Sequence, residues 1–196
     1  MATRKPREYL ILLDRAKAAA EAAIDAFNRV NLSYRNETTL LTLANAWELL
    51  AKSMLVHAKQ SIIQGHHGET ISGEKAVYRL LYRKLINKHE AETIQQIISL
   101  RNAAAHHYLP EIPDEIIHHL LYFGCKSFRD AIKKTFPSHG KGLDRNYPSL
   151  AFSDLTTYAD KVQKSVSRVK KSSSAKRLIW LLERGIGFDG SSYQTE

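Results

Sequence analysis

The chain is 196 residues long, 43% hydrophobic and 25% charged, with nine Gly and five Pro, which suits one folded domain, or one domain with an appended helical piece, and argues against disorder over most of the length. No apolar run approaches the roughly 18–20 residues of a membrane-spanning helix, MATRKPREYL lacks the apolar stretch of a secretory signal, and Cys125, the only cysteine, excludes an intrachain disulfide and a Cys-based zinc site; a cytoplasmic protein without membrane association is expected. The formal net charge is +9, and its distribution along the chain bears on a polyanionic partner, phosphate backbones being the commonest.

Apolar residues recur at helical rather than alternating spacing almost throughout, so the expected fold is all-α: an antiparallel bundle of four to five helices with a basic C-terminal helical extension. Residues 7–30 predict a long Ala-rich helix with Leu12, Ala16, Ala19, Ala23 and Phe27 along one stripe. NLSYRNE interrupts it, and Thr38 or Thr39 can cap a second helix, about 39–64, that turns Leu43, Trp47, Leu50, Met54 and Ile62 toward a core. QGHHGETISG reads as a loop, with Ser72 as the N-cap of a third helix over 74–87. Asn87 followed by Glu90 resembles a capping box for a fourth helix, about 88–108. Pro110 and Pro113 end it and start a fifth, which runs to about Phe136. Trp47, Trp180, Tyr78, Tyr82 and Tyr122 fall at helical spacing among aliphatics and are expected mostly in the core.

A bundle over 1–140 is thus expected to end at a Pro- and Gly-containing loop, 141–152. Ser153 can cap an amphipathic helix to about Lys171; KKSSSAK then joins it to a last helix closed by Gly185. Residues 153–186 form this basic extension, and 187–196 read as a mobile tail or a linker. From residue 126 onward fourteen Lys and Arg face seven acids, against fifteen and thirteen before it. Lys161, Lys164, Arg168, Lys170 and Lys171 therefore either contact an RNA backbone or solubilise one helix face, and the charge pattern leaves both open.

The chemistry concentrates in LRNAAAHHYLP at the end of the fourth helix. Arg101 offers a permanent cation with a planar fork of donors suited to phosphate, and His106 a group that exchanges a proton near neutral pH. An imidazole to deprotonate a 2′-hydroxyl and a guanidinium to stabilise charge growing on phosphorus are the parts needed to cleave RNA without a metal or other cofactor. At about 100° per residue, Asn102 and His106 lie about 40° apart on one face, whereas Arg101 and His106 lie about 140° apart. One helix does not easily bring both onto one phosphate; two copies across a two-fold axis can, so a composite site in a homodimer is expected. His107 gives Arg101 a second workable spacing, and the base can be either histidine. His106 shares the Asn102 face and keeps Tyr108 in register. Adjacent histidines on a helix diverge by about 100°, so His66–His67 and His118–His119 read as surface residues and no metal site is expected.

The sequence RNAAAHHY resembles the Arg-x4-6-His signature of the HEPN superfamily in its RNxxxHxY form. The resemblance implies a helical bundle, commonly dimeric, and a metal-independent endoribonuclease of a toxin–antitoxin or antiviral defence system. It makes Arg101 and His106 the catalytic pair, with Asn102 orienting the site. Tyr108 falls where the tyrosine of some related toxins is modified with AMP, which implies a nucleotidyltransferase antitoxin as a partner. WELLAKSML adds Glu48 and Lys52, one turn apart, similar to an acid-x3-Lys feature of several defence-type members; the same spacing also serves as a simple helix ion pair. The resemblance also allows a catalytically inactive RNA- or nucleotide-binding module, or an assembly subunit.

Overall fold

The computed structural model describes residues 7–65, 68–106 and 114–140, and within them the side chains of all but 103–106 and 115. The loop expected at 141–152, the helices at 153–186 and the tail at 187–196 lie outside the described residues, as do His66, His67 and Trp180. The described chain is an all-α bundle: α1 (Glu8–Asn28), α2 (Arg35–His57), α3 (Gly73–Tyr82), α4 (Lys88–His106) and α5 (Asp114–Thr135), followed by a single 3-10 turn at Pro137–His139. One short hairpin departs from the expected all-helical pattern. Ile63–Gln64 (β1) pairs antiparallel with Glu69–Thr70 (β2), and Gly65 and Gly68 between them take positive φ, a conformation that glycine adopts without a Cβ penalty. Two residues per strand are too few to show alternation, which is why the segment reads only as a loop.

The directions of the helices follow from their end-to-end contacts. The Ser53 hydroxyl near the end of α2 donates to the Tyr9 carbonyl at the start of α1 at 2.7 Å, so these two are antiparallel. Helices α2 and α5 run side by side in the same direction: Arg35 pairs with Asp114 at their starts, and His57 meets Phe136 edge-on beyond the end of α5. Between those ends Trp47 and Phe128 meet edge to face with centroids 5.5 Å apart, a favoured aromatic geometry. Gly124 of α5 lies so close to both neighbours that an added Cβ would stand 3.0 Å from Ile97 Cδ1 and 3.1 Å from Leu43 Cδ2.

Leu43, Trp47, Leu50, Met54 and Ile62 are buried as expected, although Ile62 reaches the core from the connection after α2. In α1 the buried residues are Leu13, Ala16, Ala20, Ala23, Ile24 and Ala26; Ala16 and Ala23 belong to the expected stripe, whereas Leu12, Ala19 and Phe27 are only half-buried against the core. Alanines on every side of that helix leave its apolar direction poorly marked. Neither Thr38 nor Thr39 caps α2. The helix starts at Arg35 after Tyr34 in the left-handed region, and the Thr39 hydroxyl donates back to the Arg35 carbonyl at 2.8 Å.

The remaining boundaries are set by local hydrogen bonds. Ser72 caps α3, its oxygen accepting from the Lys75 backbone N–H at 3.3 Å. Asn87 and Glu90 form the reciprocal capping box of α4: the Asn87 N–H donates to Glu90 Oε2 at 2.7 Å, and the Glu90 N–H to Asn87 Oδ1 at 2.8 Å. Helices α2 and α3 end earlier than periodicity suggests, each in a left-handed lysine. Lys59 follows α2, with the Gln60 N–H donating to the Leu55 carbonyl at 2.8 Å. Lys84 follows α3, with the Leu85 N–H donating to the Leu80 carbonyl at 3.0 Å. This is the Schellman arrangement, with lysine where glycine is usual.

Candidate functional site

Glu48 and Lys52 of α2 and Arg101 and Asn102 of α4 come together where the start of α3 wedges against both helices. Lys52 is only 7% exposed, yet its ammonium has two partners: it donates to Glu48 Oε1 at 2.6 Å and to the Thr70 hydroxyl of β2 at 2.9 Å. A buried ammonium needs such partners, because desolvating an unpaired charge is costly. The other carboxylate oxygen of Glu48 accepts from an Arg101 guanidinium nitrogen at 3.5 Å. Asn102, the next residue of α4, donates its side-chain amide to Glu74 Oε1 at 3.0 Å. Gly73 opens α3 against this cluster, and a Cβ there would lie 3.2 Å from Glu48 Oε2. Absence of a side chain is what lets the backbone approach the carboxylate so closely.

Glu48 thus bridges two cations on two elements, one through each oxygen. The two links differ in strength. The Glu48–Lys52 contact is short and sheltered, whereas Arg101 and Glu48 are each about a quarter exposed and 3.5 Å apart, a geometry worth about 0–1 kcal/mol in water. Lys52 and Glu48 therefore form a fixed base, and Arg101 is steered by it without being locked. A guanidinium in that state keeps donors for an incoming phosphate oxygen.

Helix α4 continues through His106, so the expected angular relation between Arg101 and His106 holds for the backbone: five residues, roughly 7.5 Å of rise and about 140° of turn. His107, Tyr108, Lys161, Lys164, Arg168, Lys170 and Lys171 lie outside the described residues. Of the expected site residues, then, Arg101, Asn102, Glu48 and Lys52 are brought into one cluster, and Thr70, Gly73 and Glu74 join them. Sequence reading misses those three: TISGE reads as a loop and a helix cap, and nothing local ties it to residues in α2 and α4.

Two expectations elsewhere are corrected. His119 is not a surface residue, and His118 is half-buried. His119 is buried in α5 beside Phe123, ring centroids 4.5 Å apart, and burial, helped by neighbouring His118, pushes its pKa down to about 4. His118 stacks on Phe27 at 5.2 Å with rings nearly parallel, and burial lowers its pKa as well. Tyr78 and Tyr82 are not core residues either, being 66% and 75% exposed on α3. The buried face of that helix is Gly73, Ala76, Val77 and Leu80.

Residues 11–184 match the family described as a domain of unknown function, DUF3644, and the chain belongs to that family. The match runs across the expected loop at 141–152 and takes in most of the basic C-terminal stretch. No curated protein and no solved structure matches the chain. Among the described residues, no helix is long and apolar enough to cross a membrane.

Proposed function

We propose that the chain is a metal-independent endoribonuclease of HEPN type, acting in the cytoplasm as a homodimer and serving as the effector of a toxin–antitoxin or antiviral defence system. One observation carries the reading most: Arg101 of the RNxxxHxY sequence lies against Glu48 of the acid-x3-Lys pair, 53 residues away in the chain. Two short patterns, each weak alone, support one site because they meet.

In this reading Lys52 and Thr70 hold Glu48, Glu48 aims Arg101, and Glu74 holds Asn102. His106, or His107, takes the proton from a ribose 2′-hydroxyl. The oxygen attacks the adjacent phosphorus, and the bond from phosphorus to the 5′-oxygen breaks as that oxygen gains a proton. Arg101, contributed by the other subunit, stabilises the charge on the phosphoryl oxygens. The products are a 2′,3′-cyclic phosphate and a 5′-hydroxyl. AMP on Tyr108, placed by a nucleotidyltransferase antitoxin, would set a negative charge beside the histidine and repel substrate.

The test is incubation of the purified protein with total RNA in EDTA, beside Arg101→Ala and His106→Ala. Cleavage by the wild type and loss in both variants is the expected result; variants that cut as well as the wild type overturn the assignment. A second reading, an RNA-binding module without turnover, draws on the fact that Arg101 already has a carboxylate partner. RNA binding without any cleavage by the wild type would select it.

A further inference from the structure

The exposed side of α3 combines cations with aromatic rings open to water. From Gly73 to Lys88 the chain carries Lys75, Arg79, Arg83, Lys84 and Lys88, with Glu74 as the only acid. Tyr78 and Tyr82 stand four residues apart on the same side, and both rings face water. Removing a tyrosine from water is ordinarily favourable, yet two neighbouring rings are left exposed here while Ala76, Val77 and Leu80 anchor the opposite side of the helix.

Position matters as much as composition. Glu74, the residue that holds Asn102, precedes Tyr78 by one turn and Tyr82 by two, distances of about 6 and 12 Å along the axis. The row Glu74–Tyr78–Tyr82 therefore starts at the Glu48–Arg101 cluster and leads away from it. Beside that row, Lys75 donates to Gln64 Oε1 and Arg79 to the Ser61 carbonyl, each at 2.8 Å. These bonds fix both side chains along the hairpin edge and leave further N–H donors on each. Arg83 and Lys84 are exposed at the end of the helix.

We propose that this face of α3 is a stacking track for single-stranded RNA, with Tyr78 and Tyr82 as base platforms and Lys75, Arg79, Arg83 and Lys84 as phosphate contacts, leading a strand toward the Glu48–Arg101 cluster. The proposal rests on the ribonuclease reading for what happens at the end of the track, but not for the track itself. Aromatic rings interleaved with cations are what unpaired nucleic acid uses, since every base has a face to stack and every nucleotide a charge to neutralise. Duplex RNA keeps its bases stacked internally and has little use for the rings. A second copy of the chain fits the face poorly, because a two-fold contact would set these cations against themselves.

The test uses the full chain carrying His106→Ala and a fluorescein-labelled oligouridylate about twelve nucleotides long, read by anisotropy. Tyr78→Ala with Tyr82→Ala is expected to weaken binding by roughly ten-fold or more, and Tyr78→Phe with Tyr82→Phe to restore it, because the ring and not the hydroxyl stacks. Arg83→Gln should weaken binding and flatten its salt dependence by a slope of about 0.7. Both tyrosines are exposed, so these changes leave the fold intact. Unaltered affinity in the double alanine variant overturns the track. So does an affinity loss that matches a change of oligomeric state by light scattering, which would make the face a protein contact. The two readings fail separately: tyrosine-dependent binding without wild-type cleavage removes the ribonuclease and keeps the track, whereas cleavage indifferent to the tyrosines removes the track alone.

Discussion

Along one side of α2, Leu43 and Trp47 pack on Gly124 and Phe128 of α5, and the contact is one of shape. One residue round from Trp47, Glu48 begins a second side, where α2 meets α3 and α4 through Lys52, Thr70 and Arg101. The first side is dry and closely packed; the second is partly wet and built from charges that lose much of their attraction in water. The difference teaches that the packed core and the charged cluster draw on different faces of one helix. Damage to either should be separable by experiment.

The sharpest separation comes from two substitutions. Arg101→Ala should reduce cleavage about 10²- to 10⁴-fold while changing unfolding free energy by about 1 kcal/mol or less, since it removes only a long, partly exposed ion pair. Trp47→Ala should do the reverse, costing about 3–5 kcal/mol of stability through the cavity left in the core, with activity following the folded fraction alone. Urea unfolding beside an RNA cleavage assay checks both. If Arg101→Ala unfolds the chain as readily as Trp47→Ala, the two faces are not distinct.

A milder probe is acid. His119 in the folded chain has a pKa of about 4, below the ordinary 6.5, because burial disfavours its charged form. On lowering the pH the unfolded chain takes up that proton first. The group's contribution is therefore intact above about pH 6.5 and is lost progressively toward pH 4, by about 2 kcal/mol at pH 5. Thermal unfolding at pH 7.5 and pH 5 should show the loss, and His119→Leu should flatten it. An equally steep dependence in that variant would assign the acid sensitivity to other groups. A smaller effect is expected at Gly73, where alanine would crowd Glu48 Oε2. Cleavage should fall by roughly ten-fold or less, with stability within about 1 kcal/mol of wild type.

How much of this is legible in the sequence depends on how local each determinant is. Ser72 and the Asn87–Glu90 box act within one turn, and both are read correctly. The five helices follow from periodicity summed over many residues. Tyr78 and Tyr82 mislead because an i, i+4 aromatic pair is usually a core stripe; here small Ala76 and Gly73 mark the buried side instead. The start of α2 escapes because Tyr34 and not a threonine turns the chain. At the site, Arg101 with Asn102 and Glu48 with Lys52 are recognisable separately. Their meeting, with Thr70 and Glu74, depends on where three helices pack, and no short window contains that.

The lysine that closes α2 bears on how robust the molecule can become. Lys59 holds φ at 58°, where a side-chain-bearing residue sits about 1–2 kcal/mol above its right-handed conformation. Glycine would relieve that strain while giving back part of the gain as extra freedom of the unfolded chain. The protein thus keeps a small thermal reserve at a joint about two helical turns beyond Lys52, and a variant hardened there should tolerate harsher changes to the charged cluster.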